Sequence, residues 1–389
     1  MRASRLLVWT VALFIALLWV AGCGRTRPSS GPRVLKIACV APISGPNAAV
    51  GRGLRNSVHL AVDQLDQSGE MRELRLEVVD LDDASKPEQA ASAAARAVAD
   101  PSVVAVIGHY NTPCVLAAQD FYRRAGMPNL VFGIGSRITL AQPTPPTTFM
   151  VPMYDQLQTK ALANYAKNAL GVRSAYLLDD GTAYGKPMAD AWASDLKAAG
   201  IKILGRESYA VGDREFGTIL ARVRAANPNA LMVATVPTEG GLLRAQMVRQ
   251  GLRQRFIGTS GIHTDIFVRA AGPAAEGVVS PWLIPEIKDS PGGARFEAAY
   301  KAAGFREPYE VEGIPAYSAA QAVIAAIRKG ARTRGDILKA LRTQSFETAQ
   351  GTLRFDQHGN NVDAPLVIYR YKGGGWVPLK TFYRRDIEK

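Results

Sequence analysis

The residue types that most often perform catalysis or bind metals are few in this sequence and lie far apart. The four histidines, His59, His109, His263 and His358, show no HExxH or other local ligand spacing, and the three cysteines form no CxxC pair. The sequence also lacks GxSxG, GxxxxGK[ST] and a GxGxxG after a strand. We therefore expect no catalytic residue, no metal site and no cofactor, and the sequence indicates a binding protein rather than an enzyme.

Polar residues suited to ligand binding follow directly after a predicted strand. The apolar run 103–107 is followed by Asn111 and Thr112, and Pro113 then fits the first position of a helix, so that Thr112 is expected to be the N-cap. The first turn of a helix exposes backbone N–H groups that no helical carbonyl satisfies. This position is therefore a candidate ligand site, with an ordinary helix cap as the alternative.

The elements that position these residues alternate between strand and helix. Short apolar runs without alternation indicate buried strands, and apolar residues at helical spacing indicate amphipathic helices. The first series has strands at 34–40, 74–81, 103–107 and 130–132 and helices at 54–65, 87–99 and 113–125. The second has helices at 156–170, 185–199, 216–226 and 240–251 and strands at 175–178, 203–209, 231–236 and 255–258. Helices at 294–303, 316–329 and 335–342 and two strand-like segments, 351–355 and 365–371, close the chain. This order predicts an α/β fold of two doubly wound lobes, each with a parallel sheet covered on both faces.

The composition fits a folded protein with a sizeable core. The chain has 389 residues, 47% of them hydrophobic, and such a length corresponds to two or more domains at roughly 150 residues each. Lys and Arg outnumber Asp and Glu by 47 to 34, a formal net charge of +13, but no block of like charges occurs. A nucleic-acid groove is therefore disfavoured, and we expect a monomer.

The first segment is typical of a membrane-targeting signal. Arg2 and Arg5 precede an uncharged run, 6–20, which is short for a membrane span but suits a signal-peptide core. The run ends in VAGC, which resembles a bacterial lipobox, so residues 1–22 are predicted to be removed and Cys23 to carry lipid. Residues 23–33 then form a polar tether. A plain signal peptide, or an uncleaved helix with an incidental cysteine, is the alternative.

Six segments in order resemble the leucine/isoleucine/valine-binding proteins, which are type I periplasmic solute-binding proteins of ABC importers. They are APISGPNAAVGRGLRNSVHLAVDQLD (41–66), DLDDASKPEQAA (80–91), VIGHYNTPCVLAAQDFYRRAGMP (106–128), DDGTAYGKPMADA (179–191), GLLRAQMVRQGL (241–252) and GTLRFDQHGN (351–360). The resemblance implies two lobes joined by three hinge crossings: 34–154 with 283–355, and 155–282 with 356–389. It further implies a ligand in the cleft between them and delivery to an ABC permease with its ATPase. With the anchor, it places the protein in the cell envelope, outside the cytoplasmic membrane.

The same resemblance assigns roles to individual residues. A hydroxyl at Thr112, beside Asn111, would hold a ligand carboxylate. Tyr184 would close over the ligand from the second lobe, with a half-buried tyrosine at a helix start as the alternative. The next matching loop, where the glycines allow close approach of the backbone and a plain turn is the alternative, holds Gly133, Gly135 and Ser136. Aromatic positions of the family are occupied by Val50 and by Val236 or its neighbour, and the acid that pairs with a ligand ammonium group corresponds to Ser260.

The serine at position 260 leaves the ligand open. A buried ammonium group without a carboxylate partner is costly, so urea, short amides and organic or aromatic acids compete with branched-chain amino acids, unless Asp265 or Glu239 supplies the charge. A ligand sensor that feeds a signalling partner is an alternative to an importer. Whether Cys39 and Cys114 pair is undecided at this point, and His109 is interpreted as a structural hydrogen-bonding residue.

Overall fold

Two β-sheets organise the protein. The computed structural model describes residues 32–45, 47–71, 73–133, 142–182, 184–284 and 286–387. Within these ranges, one sheet has five strands, a second has seven, and a small sheet has two. The predicted α/β fold is confirmed. Among the described residues, no helix combines the length and the apolar character that crossing a bilayer requires.

The first sheet is entirely parallel, in the order β2-β1-β3-β4-β5. Its strands are β1 (Arg33–Ala41), β2 (Leu74–Asp82), β3 (Val103–Gly108), β4 (Asn129–Val131) and β5 (Thr148–Met150). The helices between and around them are α1 (Ala48–Ser68), α2 (Pro87–Ala99) and α3 (Thr112–Arg124), with α9 (Gly293–Ala302), α10 (Gly313–Arg328) and α11 (Arg334–Thr343) added from later in the chain.

Strand β1 shows why helices cover both faces of this sheet. Ile37 and Cys39 belong to the core formed with α1 and α10, whereas Ala38 and Val40, which point the other way, belong to the core formed with α2 and α3. All four side chains are fully buried. Continuous apolar strands are stable only when both faces are covered, so the sequence of β1 determines its central place.

The second sheet has the order β14-β13-β10-β9-β8-β6-β7. Its strands are β6 (Ser174–Asp179), β7 (Lys202–Ser208), β8 (Ala230–Ala234), β9 (Arg255–Gly258), β10 (Val279–Trp282), β13 (Pro365–Lys372) and β14 (Gly375–Tyr383). Its helices are α4 (Leu157–Asn168), α5 (Gly185–Ala198), α6 (Gly217–Ala226), α7 (Pro237–Arg249), α8 (Asp265–Ala271) and the short C-terminal α12 (Arg384–Ile387). Strands β11 (Phe346–Thr348) and β12 (Gly351–Leu353) form the small antiparallel sheet.

This second sheet departs from the predicted parallel arrangement at one edge. Strand β13 pairs antiparallel with β10 and with β14, whereas the strand pairs from β6 to β10 are parallel. The sequence patterns did not predict strands β5, β10, β11 and β14. Strands β5 and β11 have only three residues each, and β10 and β14 contain Pro281 and Pro378. Proline is unusual within strands except at edges and irregular positions.

The chain passes three times between the two sheets: after β5, after β10 and between β12 and β13. The first and third passages are hydrogen-bonded to each other. The Met150 amide donates to the Gly359 carbonyl (2.8 Å), and the Asn361 side-chain amide donates to the Val151 carbonyl (2.9 Å). We refer to the part of the chain around each sheet as a lobe. The exact domain boundaries given above remain a prediction.

Candidate functional site

A cavity of about 230 Å³ lies between the two lobes, where strands of both sheets end. Its described lining comes from the first lobe, from the turn after β9 and from the passage after β10, and consists of Tyr110, Asn111, Thr112, Phe132, Gly133, Ser260, Trp282, Leu283, Ile284, Val311 and Glu312. Ligands of open α/β sheets bind beyond the carboxyl ends of the strands. A larger hollow of about 560 Å³, lined from Thr348 to Thr352 and by β13 and β14, lies away from those ends.

The segment between β3 and α3 forms one wall of the cavity, and buried hydrogen bonds fix it. His109 Nδ1 lies 2.7 Å from Asp83 Oδ2 and its Nε2 lies 3.0 Å from the Tyr122 hydroxyl. All three side chains are fully buried. At Gly108 the backbone has φ 127°, and a Cβ would lie 1.8 Å from the Val40 carbonyl oxygen, so no other residue fits there. The hydrogen bonds of His109 therefore fix the position of the segment that forms this wall.

Helix α3 begins at Thr112, one residue earlier than predicted. The N-cap is Asn111, which has extended backbone angles and whose carbonyl accepts the first helical hydrogen bond, from the Val115 amide at 3.0 Å. The Asn111 side chain makes no capping bond, and its buried Oδ1 has no hydrogen-bond partner among the described residues. Thr112 is thus a first-turn residue, half-buried and beside the cavity, and its assignment as N-cap was wrong.

Ser260 lines the cavity from the second lobe. It is 5% exposed, and its amide donates to Gln158 Oε1 at 2.7 Å, which ties the turn after β9 to the start of α4. The two acids considered as replacements for the missing charge are not among the described lining residues. Asp265 is exposed at the start of α8, and Glu239 accepts a hydrogen bond from the Gly212 amide (2.9 Å).

Tyr184 lies behind the Ser260 turn and is not among the described residues that line the cavity. Its hydroxyl accepts a hydrogen bond from the Gly261 amide at 3.3 Å. Burial raises the pKa of the Tyr184 phenol, more than the nearby hydroxyls of Thr259 and Ser260 and this amide lower it. In this arrangement, Tyr184 supports the turn that carries Ser260.

The other residues singled out from the sequence are placed as follows. Gly133 is buried and lines the cavity. Val50 lies in the first turn of α1, and Val236 is the N-cap of α7 and donates its amide to Asp180 Oδ2 (2.8 Å); neither is among the described lining residues. Gly135, Ser136 and Cys23 fall outside the described residues. Cys39 and Cys114 are buried and free, so they do not pair.

An acid that sequence reasoning missed contributes to the cavity wall. Glu312 is the N-cap of α10 and is only 4% exposed. Its Oε2 has no hydrogen-bond partner among the described residues, and burial raises the pKa of the carboxyl group to about 8. The available signal was an acid directly before a strongly apolar helix, since helix N-termini favour negative charge.

Aromatic rings form the opposite boundary of the cavity. The Trp282 ring stacks on His263 with a centroid distance of 5.1 Å, and Trp376 stacks on the other face of His263 at 4.2 Å. Burial lowers the pKa of His263 to about 3, so the imidazole in this stack is neutral. Beyond Trp282, a hollow of about 680 Å³, which we call the outer cleft, continues toward solvent past Asp265, Glu286, Lys288, Glu297 and Glu310.

Comparisons with known proteins agree with this architecture. The family model described as "Periplasmic binding protein" matches residues 34–375. The Leu/Ile/Val-binding protein homolog 2 of Brucella abortus is 29% identical over 336 residues, which cover 86% of this chain and 89% of the relative. A branched-chain amino acid transporter substrate binding protein from Streptococcus pneumoniae, solved with isoleucine, superimposes with a TM-score of 0.74 at 24% identity (90% of this chain, 100% of the other). A solute binding protein of an ABC transporter from Rhodopseudomonas palustris, solved with p-hydroxybenzoic acid, gives a TM-score of 0.74 at 18% identity (90% and 97%). Because the family model spans far more than half of the sequence, this chain belongs to the periplasmic binding protein family.

Proposed function

We propose that this protein captures a small polar solute in the cavity between its lobes and delivers it to the permease of an ABC importer. One observation carries the proposal: the same small cavity is lined by Asn111 and Thr112 from one lobe and by Ser260 from the other. A ligand that contacts both sides stabilises the closed arrangement over an open one, because only the closed arrangement makes both sets of contacts.

The three passages between the lobes are suited to such a movement. They leave each sheet with its own covered core, so that the lobes can rotate as bodies about a few connecting residues. The permease would then recognise the closed form, and a separate ATPase would supply the energy. No step in this cycle makes or breaks a covalent bond in the solute, so we propose a receptor without catalysis.

The solute is proposed to be a branched-chain amino acid or a related amide or acid. The relatives named for leucine, isoleucine and valine support the first class, and the p-hydroxybenzoic acid complex shares only the fold. The cavity is smaller than the roughly 300–1,000 Å³ usual for drug-sized ligands. Phe132, Trp282 and Ile284 offer apolar contact for a side chain of modest size.

In this proposal, the residues of the first lobe hold the acidic group of the solute. The first turn of α3, which begins with Thr112 at the cavity, would offer hydroxyl and backbone N–H donors to an anion. Gly133 lines the same cavity, and Gly135 and Ser136, which lie outside the described residues, are proposed as further ligand contacts. Ser260 contacts the solute from the second lobe. Tyr184, Val236 and Val50, which are not among the described lining residues, would contact the solute on further closure.

The attachment to the membrane is proposed to run through lipid on Cys23, followed by the tether 23–33. This arrangement keeps the body in the periplasm or outside the cytoplasmic membrane, within reach of its permease. We expect Cys23→Ser to release the protein from the membrane fraction or to leave it unprocessed, as seen by fractionation and intact mass. Retention of a processed Cys23→Ser protein in membranes would contradict the anchor.

The experiment that tests the function is a thermal-shift panel on the body from Arg33 onward. The panel contains leucine, isoleucine, valine, urea, acetamide and p-hydroxybenzoate, each followed by calorimetry where the midpoint rises. We expect one chemical class to raise the midpoint and to bind with a stoichiometry of one. If none of these solutes binds and only a macromolecular partner does, solute capture is the wrong function.

A further inference from the structure

The described lining of the cavity holds a single charged residue, Glu312. No arginine or lysine is among these described lining residues. The acid expected at position 260 is replaced by a serine, but the cavity is not without an acid. A carboxyl group is present instead at the N-cap of α10, in the first lobe.

Glu312 is held in a costly state in the absence of a solute. It is 4% exposed, its Oε2 lacks a hydrogen-bond partner among the described residues, and the neighbouring residues Gly313, Ile314 and Pro315 are buried. A buried carboxyl group without a partner destabilises a protein. A partner that arrives with the solute would remove this cost in the bound state alone.

Asn111, which lines the same cavity, also has an unsatisfied side-chain acceptor. Asn111 Oδ1 is buried and, like Glu312 Oε2, has no partner among the described residues. Two free acceptors require a group rich in donors, and an ammonium group has three N–H donors. The start of α3, which contributes Thr112 to the same cavity, offers N–H donors and therefore suits the opposite end of such a solute, its carboxylate.

From these features we propose that Glu312 is the residue that pairs with the ammonium group of the solute, and that the solute is a zwitterionic aliphatic amino acid. This inference rests on the proposed function, since it names the class of solute for the same cavity. It makes Glu312 a specificity-determining residue, because solutes that lack the amine leave Glu312 and Asn111 without a donor.

Binding must then move a proton. Burial raises the pKa of Glu312 to about 8, so the free protein holds it as a neutral acid at pH 7. Pairing with an ammonium group requires the carboxylate, and the acid proton passes to the buffer as the amino acid binds. Affinity should therefore rise with pH up to about 8, by as much as tenfold per pH unit, and level off above it until the amine of the free amino acid loses its own proton.

We attribute the pH dependence of solute affinity to Glu312 and not to the titratable groups around it. Burial and the nearby Glu312 carboxyl raise the pKa of the Tyr110 phenol to about 12, and His263 behind Trp282 has a pKa of about 3, so neither changes charge between pH 6 and 9. The charged residues that border the outer cleft are Asp265, Glu286, Lys288, Glu297 and Glu310.

The test uses the protein from Arg33 onward, with leucine, isoleucine and valine and their analogues that lack the amine, such as 4-methylpentanoate for leucine. Calorimetry in phosphate and in Tris at pH 7 measures the number of protons released, because the two buffers differ in ionisation enthalpy. We expect close to one proton released per amino acid bound, and an affinity at least 30-fold weaker for the analogue without the amine, which leaves the buried acceptors unpaired.

The variant Glu312→Gln removes the charge at nearly constant shape. It should weaken amino-acid binding about 30-fold or more and abolish both the proton release and the pH dependence. The matched control is Glu307→Gln, in the same connection before α10, whose carboxylate lies 3.5 Å from Arg52 and outside the cavity; it should bind as the unaltered protein does. Circular dichroism checks that both variants are folded.

The outcomes separate this inference from the proposed function. Tight binding of an amino acid that is unchanged in Glu312→Gln, or binding of p-hydroxybenzoate or urea in preference to every amino acid, would overturn the pairing and leave solute capture standing. If no solute of either class binds to the unaltered protein, both fail. Equal affinity for an amino acid and its amine-free analogue would also contradict the pairing.

Discussion

At the scale of single residues, Glu312 determines how the stability of the ligand-free protein responds to pH. Its pKa of about 8 in the folded state lies above the ordinary value of 4.5, so the folded protein binds this proton more tightly than the unfolded chain does. The resulting stability is complete below pH 4.5 and is lost as the pH rises through 8. For this shift in pKa the loss is on the order of 5 kcal/mol.

We therefore expect Glu312→Gln to flatten the pH dependence between 5 and 8.5. The free energy of unfolding, measured by urea titration without solute, should fall with rising pH in the unaltered protein and much less in the variant. At pH 8.5 the variant should be the more stable of the two. Parallel curves for both proteins would show that Glu312 is not held neutral in the folded state.

Thr112 carries the second prediction at this scale. Thr112 lines the cavity from the first turn of α3, and loss of one hydrogen bond to a charged group costs about 1.5–3 kcal/mol. Thr112→Ala should thus weaken solute binding by roughly 10- to 100-fold in calorimetry, whereas Thr112→Ser, which keeps the hydroxyl, should bind nearly normally. Equal affinity of the alanine and serine variants would remove this hydroxyl from the ligand contacts.

Sequence patterns identified several residues of the cavity that follow strand ends, and missed Glu312, which does not follow one. Asn111, Thr112 and Gly133 come directly after apolar strands, and this position alone brings them to the sheet edge. Glu312 precedes an apolar helix, and its burial depends on packing against the other elements, which local sequence does not encode. Whether Tyr184 reaches the solute depends on how far the lobes close, and residue spacing contains no information on that distance.

At the scale of elements, the third passage between the lobes depends on one aspartate. Asp356 Oδ1 accepts hydrogen bonds from the amides of His358 (2.8 Å) and Asn360 (2.9 Å), and its Oδ2 lies 2.6 Å from Arg384 Nη1 in α12. Burial alone would raise the pKa of Asp356, but the Asn360 amide and the Arg384 guanidinium lower it below the ordinary 3.8. This carboxylate therefore fixes the turn and joins it to the C-terminal helix.

We expect Asp356→Ala to lower the free energy of unfolding by about 1–3 kcal/mol at pH 7, because it leaves two amides and a guanidinium without their acceptor. Since the folded pKa is depressed, the stabilisation is present above about pH 4 and is lost as the pH falls below it, so the two proteins should converge in acid. Urea unfolding at pH 7 and pH 3 measures this. Asp386→Ala, at an exposed acid of the same helix, is the control, and an equal loss there would contradict the assignment to Asp356.

Strands were predictable from the sequence where both of their faces are buried. Strands such as β1 and β8 read as continuous apolar runs because both faces are covered. Strand β14 at the sheet edge has mostly exposed or half-buried residues and contains Pro378, so its pattern resembles a loop. Its pairing with β13 comes from tertiary structure, as does the antiparallel direction of this edge.

At the scale of the whole molecule, the passages between the lobes constrain the kind of motion available. The first and third passages share the hydrogen bonds from Met150 to Gly359 and from Asn361 to Val151, so they move together as one ribbon. The second passage is tied to β13, where the Glu286 amide donates to the Tyr369 hydroxyl at 3.3 Å. A rotation about these strands opens the cavity without unfolding either core.

We accordingly expect a saturating solute to reduce the radius of gyration measured by small-angle scattering, because capture requires the lobes to approach. The free protein should sample more open arrangements, since contacts from both lobes are worth most when a solute lies between them. Thr112→Ala should show the same reduction, but only at solute concentrations raised in proportion to its weaker affinity, whereas a loss of hinge motion would abolish the reduction at any concentration. A radius that stays constant while calorimetry reports a filled site would mean that the solute enters a preformed cavity, and closure would then have no part in recognition.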